Sequence, residues 1–155
     1  MIIEAWRIVE ARHAATAFSG EGAERFGGRW NSRGVRVVYA SDSEALAVLE
    51  TLVHLNPPVP FDFVKIRIEF YDTLVNRVSV NDLPGDWQRK PPPLSSRAIG
   101  DAWCRSGESV VLAVPSIIVP SEAATNYLLN PAHPDFSKIK IAEPEAFVFD
   151  PRLLN

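Results

Sequence analysis

Between residues 26 and 55 the chain reads FGGRWNSRGVRVVYASDSEALAVLETLVHL. Arg29 follows two glycines, Tyr39 closes a β-branched run, and Glu50 interrupts an apolar run of helical period. Ser116 lies further on, in VPSII. A guanidinium can grip an anion with a fork of donors. A phenol ring offers a flat face, and a carboxylate can oppose positive charge. Each residue also has a plainer reading. Arg29 could be a surface arginine, Tyr39 a core aromatic, and Ser116 a strand-end serine bonding nearby backbone. Glu50 is flanked by Leu49 and Leu52, and its helical neighbours are residues 46, 47, 53 and 54. It therefore borders the apolar face, and its plainer reading is a partly exposed surface glutamate.

Other chemistries find little support. GEGAERFGG at 20–28 is not a dinucleotide fingerprint, which needs a strand before the glycines and a helix opening on them. No Gly-Lys-Ser/Thr of a phosphate loop occurs. The three histidines, His13, His54 and His133, are far apart, and with a single cysteine no metal-ligand spacing emerges. Ser116 is not in a Gly-x-Ser-x-Gly elbow.

The elements that must position these residues follow from period and punctuation. Residues 2–9 and 35–41 suit strands, and 14–28 reads as a glycine-rich loop. Ser41-Asp42-Ser43-Glu44 offers a capping box with Ser41 as cap, which opens a helix over 43–55. FDFVKIRIEF, 61–70, alternates as a half-buried strand, and 74–80 is its expected hairpin partner or neighbour. A second helix spans 95–106 and stops at Gly107. Residues 109–116 form a buried strand, 117–131 are partly strand and partly loop, and 138–151 suit two short strands or a hairpin. Many strands with two or three helices, not alternating regularly, predict an α+β fold with central, mostly antiparallel β-sheets.

Length fits one domain over 1–155. The net charge of −3, with no basic block, argues against nucleic-acid binding by this chain itself. No apolar run approaches the ~20 residues of a spanning helix, and the first residues do not read as a signal peptide. One cysteine, Cys104, precludes an internal disulfide and suits the cytoplasm.

Taken together, Arg29 in GGRWN, Tyr39 in VVYAS, Glu50 in LETLVH and Ser116 in VPSIIVPSEAATNYLLNP resemble the RES domain family, named for its Arg, Glu and Ser. The likeness runs from Trp6-Arg7-Ile8 to Phe147, and NYLLNPAHPDFSKIKI resembles the family's usual end. The resemblance implies the toxin of a bacterial toxin–antitoxin module, with a fold similar to that of ADP-ribosyltransferase toxins. It implies NAD+ as substrate, with no separate cofactor or metal. It also implies an antitoxin partner carrying an Xre-like helix-turn-helix domain. Pairing of the toxin with itself within that complex is compatible with the sequence.

On that resemblance, Glu50 would oppose the charge that develops on ribose when nicotinamide leaves. Arg29, and after it Arg7, would hold the pyrophosphate. Tyr39 would face the nicotinamide ring, and Ser116 would bond nicotinamide, ribose or Glu50. Asn126 and His133 would line the rim, and Gly27 and Gly28 would let backbone approach the ligand. Three activities remain open. The chain could be an NAD+ glycohydrolase or phosphorylase, an ADP-ribosyltransferase acting on a protein, or a non-catalytic module that binds its antitoxin.

Overall fold

The computed structural model describes residues 1–155. Its strands are β1 (Ile2–Glu10), β2 (Val38–Ser41), β3 (Phe63–Tyr71), β4 (Val75–Arg77), β5 (Val111–Pro115), β6 (Thr125–Leu129), β7 (Lys140–Ile141) and β8 (Glu145–Phe147). Its α-helices are α1 (Glu21–Phe26), α2 (Glu44–Leu52) and α3 (Leu94–Ser106). All eight strands join one sheet in the order β4-β5-β6-β2-β1-β3-β7, with β8 also on β3. Only the β4–β5 pair is parallel. The fold is α+β, with one mixed sheet where more than one was expected.

Alternation along the strands explains the layers. Val111, Ala113, Tyr127 and Leu129 face one side, where they pack with Ala5, Ile68 and others. Leu112, Val114 and Leu128 face the other, against Trp30, Trp87 and Trp103. Strand β5, flanked by β4 and β6, is thus buried on both faces, as its unbroken apolar run requires. A third, smaller cluster joins Ile8 of β1 and Ala47 of α2 to Phe63 and Phe149.

The long pairing of β1 with β3 runs from Ile2 opposite Tyr71 to Glu10 opposite Phe63. By contrast β1 meets β2 at a single register position, Trp6 opposite Ser41. Beyond that point the two strands part, and the sheet has a split at its middle.

Several expected elements take a different form. Residues 14–28 are not all loop: a 3-10 turn covers Ala11–Thr16, and α1 forms between Gly20 and Gly27. Glu21 and Glu24 in its first turn and Arg25 in its last suit the helix dipole, which the surrounding glycines conceal. The cap of α2 is Ser43, whose side chain accepts from the Leu46 N–H at 3.0 Å, and not Ser41, which ends β2. Residues 75–77 do not pair with β3. A 3-10 turn at Asp72–Leu74 carries the chain away, and β4 lies beside β5. The open side of β3 is taken by β7 and β8, which both pair with it and form no hairpin with each other. Helix α3 ends at Gly107 in the left-handed region, as expected. No helix is long and apolar enough to cross a membrane.

Candidate functional site

Glu50 is placed by the periodicity of α2. Leu46 and Ala47, four and three residues before it, are the helix's buried residues. Glu50 shares their face, so its carboxylate is turned toward the end of the sheet. Leu49 beside it is the more exposed residue. At the sheet end, the last residue of β2 meets the start of β6, with Ser41 opposite Asn126. Ser116 follows directly on β5, whose Pro115 lies opposite Thr125.

These three elements bring a set of short hydrogen bonds to one carboxylate oxygen. Ser116 Oγ donates to Glu50 Oε1 at 2.6 Å, and Asn126 Nδ2 donates to the same atom at 2.7 Å. Glu50 Oε2 has no partner within the chain. Ser116 is 1% exposed, and its Oγ accepts from the Ile118 and Val119 N–H groups at 3.1 and 3.2 Å. With its acceptor capacity filled by two N–H donors, the hydroxyl has one proton to give, and gives it to Glu50. All the hydrogen-bonding capacity of the Ser116 hydroxyl is thus taken up within the chain. Asn126 stands in the same contact and not merely on a rim.

Arg29 comes from the loop after α1. Its Nη1 donates to the carbonyls of Trp87 and Arg89, both at 2.9 Å. The start of α3 holds the same loop by its backbone: Ser96 Oγ donates to Arg29 O at 2.7 Å, and Arg97 Nε to Gly28 O at 3.2 Å. Neither Arg29 nor Arg97 joins an ion pair within the chain. Burial lowers the Arg29 pKa from its ordinary value. The nearby Glu50 carboxylate and Tyr39 pull it back up, and Arg97 adds to the lowering. Arg29 thus feels the charge of both Glu50 and Arg97.

Tyr39 is half-buried and fastens the Arg29 loop. Its hydroxyl donates to Asn31 Oδ1 at 2.6 Å and accepts from the Trp30 N–H at 3.2 Å. Asn31, fully buried, donates in turn to the carbonyls of Ala23, Ser32 and Val35. Burial pushes the Tyr39 phenol above its ordinary range, so it remains a donor at neutral pH. This accounts for Gly28, where an added Cβ would lie 2.7 Å from Tyr39 Oη and 2.9 Å from Asn31 Oδ1. The close approach at Gly28 is to the chain's own tyrosine, and Gly27 is the cap of α1 at φ 71°. Tyr39→Phe should therefore cost stability, about 1–3 kcal/mol, by leaving the buried Asn31 Oδ1 without its donor. Urea unfolding would check this: a midpoint equal to the parent's would show that the hydroxyl does not fasten the loop.

Two predicted residues lie elsewhere. Arg7 alternates with Trp6 and Ile8, whose side chains pack on the α2 side, so it projects from the opposite face of β1. Its Nε donates to Ala17 O at 2.8 Å and its Nη1 to Tyr39 O at 2.9 Å. It thus bridges the split beside β2, and burial lowers its pKa to about 10. His133 caps the 3-10 turn Pro134–Lys138: its Nδ1 accepts from the Asp135 N–H, and its Nε2 bonds Gly107 O, both at 2.9 Å. Gly107 is at the far end of α3 from Ser96, roughly 16 Å along the axis. His133 thus lies at the Gly107 end of α3, and both its ring nitrogens are engaged in structure.

Ser41 and Arg97 were not among the predicted site residues. In sequence Ser41 reads as a helix cap, and Arg97 lies in a stretch that signals only a helix start. No group of three or more His, Cys, Asp and Glu side chains could hold a metal ion.

The RES domain profile matches residues 4–150 of this chain. Among curated proteins, the chain is similar to a protein named Prs ADP-ribosylating toxin from Sphingobium sp. (strain YBL2). The identity is 42% over 156 residues, covering 97% of this chain and 96% of the relative. It is 40% identical over 150 residues to Toxin Res of Yersinia enterocolitica, covering 96% of this chain and 97% of the relative. In fold it is similar to a chain of the crystal structure of the M. tuberculosis MbcT–MbcA toxin–antitoxin complex. There the TM-score is 0.76 at 17% identity, covering 95% of this chain and 85% of the other.

Proposed function

The chain belongs to the RES domain family; from that premise we propose that it is the toxin of a toxin–antitoxin system and acts by breaking the nicotinamide–ribose bond of NAD+. The observation that carries this is the treatment of Glu50. Two fixed donors hold one carboxylate oxygen and leave the other without a partner, within electrostatic reach of Arg29, which has no carboxylate of its own.

In this reading the C1′–N bond of NAD+ breaks, and its electron pair leaves with nicotinamide. The ribose carbon becomes oxocarbenium-like, and Glu50 Oε2 opposes that charge or holds a ribose hydroxyl. Arg29 keeps Nε and Nη2 free, and Arg97 keeps both terminal nitrogens free. Each presents a fork suited to one phosphate of a diphosphate. Tyr39 supplies ring surface at the base of the Arg29 loop. NAD+ is consumed as a substrate and no other cofactor is required.

The acceptor of ADP-ribose is water or inorganic phosphate in the first reading. A second reading, a protein acceptor, is favoured by the relative named Prs ADP-ribosylating toxin. Mass spectrometry of NAD+ incubated with the protein, with and without phosphate and with and without a bacterial lysate as the source of acceptor protein, separates them. Free ADP-ribose or its phosphate ester supports the first reading, and a mass gain on a protein supports the second. Absence of nicotinamide release under all conditions would overturn both and favour a binding module.

A partner antitoxin, with an Xre-like helix-turn-helix domain, is part of the proposal, as are action in the cytoplasm and self-pairing within the complex. Binding that covers Glu50 would lower the free enzyme by mass action.

Arg29→Lys should weaken NAD+ binding about tenfold or more while the fold is kept. Lysine retains the charge but loses both the fork and the pair of carbonyl bonds. Calorimetric titration giving the parent's affinity would remove Arg29 from the phosphate role.

A further inference from the structure

We propose that Ser41 is a positioning residue for Glu50, acting through the side-chain amide of Asn126; the proposal rests on the reading of Glu50 as the group that opposes charge on ribose. An asparagine amide has two orientations of nearly equal shape, related by half a turn. In one, Asn126 offers its NH2 to Glu50 Oε1. In the other it would set Oδ1 against the carboxylate, oxygen to oxygen. Ser41 Oγ donates to Asn126 Oδ1 at 2.8 Å. A hydroxyl has one proton to give, and its presence on Oδ1 leaves the NH2 facing Glu50 at 2.7 Å.

The serine is held where it can do this. It is 4% exposed and stands directly opposite Asn126 in the β2–β6 register, with Trp6 opposite it on its other flank. A slip of one residue would turn its side chain to the other face of the sheet. The arrangement parallels that of Ser116, whose hydroxyl is fixed from behind by two backbone N–H groups. Both donors to Oε1 are therefore oriented by a further hydrogen bond. The carboxylate is clamped at one oxygen, and Oε2 is the oxygen left to meet a substrate. Removing the Ser41 hydroxyl leaves a part-buried Oδ1 without its donor, and the amide gains a reason to turn.

The test is a set of variants of the full chain assayed for nicotinamide release from NAD+. Ser41→Ala should lower kcat about tenfold by misplacing the carboxylate, with KM within about twofold of the parent. Ser41→Thr, which keeps a hydroxyl, should recover most of that loss. In the Asn126→Ala background, Ser41→Ala should add less than about twofold, because the intermediary is already gone. Losses that multiply in the double variant would overturn the proposal, as would a Ser41→Thr variant no better than Ser41→Ala.

A second measurement does not depend on turnover. The side-chain amide proton signals of Asn126, followed by NMR, should shift and exchange faster in Ser41→Ala than in the parent. Unchanged signals would overturn the proposal whatever the kinetics. Signals that change as expected in a protein that releases no nicotinamide would support the Ser41–Asn126–Glu50 chain and instead refute NAD+ cleavage.

Discussion

Glu50→Gln should reduce NAD+ cleavage by roughly 10²–10³-fold, the typical loss when one preorganised electrostatic contact to a transition state is removed. The substitution preserves size, and the two donors decide how the new amide sits. Ser116 Oγ and Asn126 Nδ2 both need an acceptor where Glu50 Oε1 stands. The glutamine oxygen must take that place, and its NH2 must take the place of Oε2. The atom offered to the ribose then changes from a charged acceptor to a neutral donor. The fold has no reason to change, because every hydrogen bond that Glu50 makes within the chain survives. The measurements are nicotinamide release and a thermal melt on the same sample. The expected pair is a collapsed rate and a melting temperature within a degree or two. In cells, the variant should leave NAD+ and growth intact at an expression level where the parent depletes NAD+ before growth stops. Turnover near that of the parent would remove Glu50 from the chemistry.

Gly100→Ala should be the most damaging small substitution in the fold. Helix α3 crosses the Arg29 loop at Gly100, where an added Cβ would lie 1.7 Å from Trp30 O and 2.8 Å from Trp30 C. Both atoms are backbone and neither can swing aside, so the helix or the loop must move by more than an ångström. Overpacking costs about 1–3 kcal/mol where side chains can yield. Here the obstacle is main chain, and the loss should reach about 4 kcal/mol. For a chain of this size that is a fall in melting temperature of about 10 °C. The same movement would displace Arg29, which immediately precedes Trp30, so NAD+ affinity should fall with stability. Gly22→Ala is the matched control: it lies in α1 with nothing within 4 Å of the added atom, and alanine is the better helix former. A Gly100→Ala melt equal to that of Gly22→Ala would show that α3 does not pack on Trp30 as described.

The sequence made the local elements legible where period and punctuation agree. The strand over 61–70, the helix after VVYAS, the helix ending at Gly107 and the buried strand at 109–116 all stand within a few residues of their expected bounds. It failed where glycines masked a short helix, at α1, and where one capping pattern could begin at either of two serines. Those are local ambiguities: Ser41 and Ser43 are both good caps, and only the path of β2 decides which is free to act as one.

By itself, then, the sequence determined the α+β character, the helix that carries Glu50, and the run of Arg29, Tyr39, Glu50 and Ser116 on which the family resemblance rests. Tertiary structure decided which of the candidates meet. Ser116 and Asn126 lie 66 and 76 residues from Glu50, yet they share one of its oxygens. His133, only seven residues beyond Asn126, is carried to the other end of α3. Arg7 is turned to the opposite face of β1 by alternation, a property of strand pairing that fixes a side chain's face only once its neighbours are known. The roles of Ser41 and Arg97 have the same origin. A serine at a strand end and an arginine in a first helical turn are unremarkable in a linear chain. They meet Asn126 and the Arg29 loop only through strand register and the close crossing at Gly100, because hydrogen bonds depend on distances of about 3 Å that sequence separation does not encode.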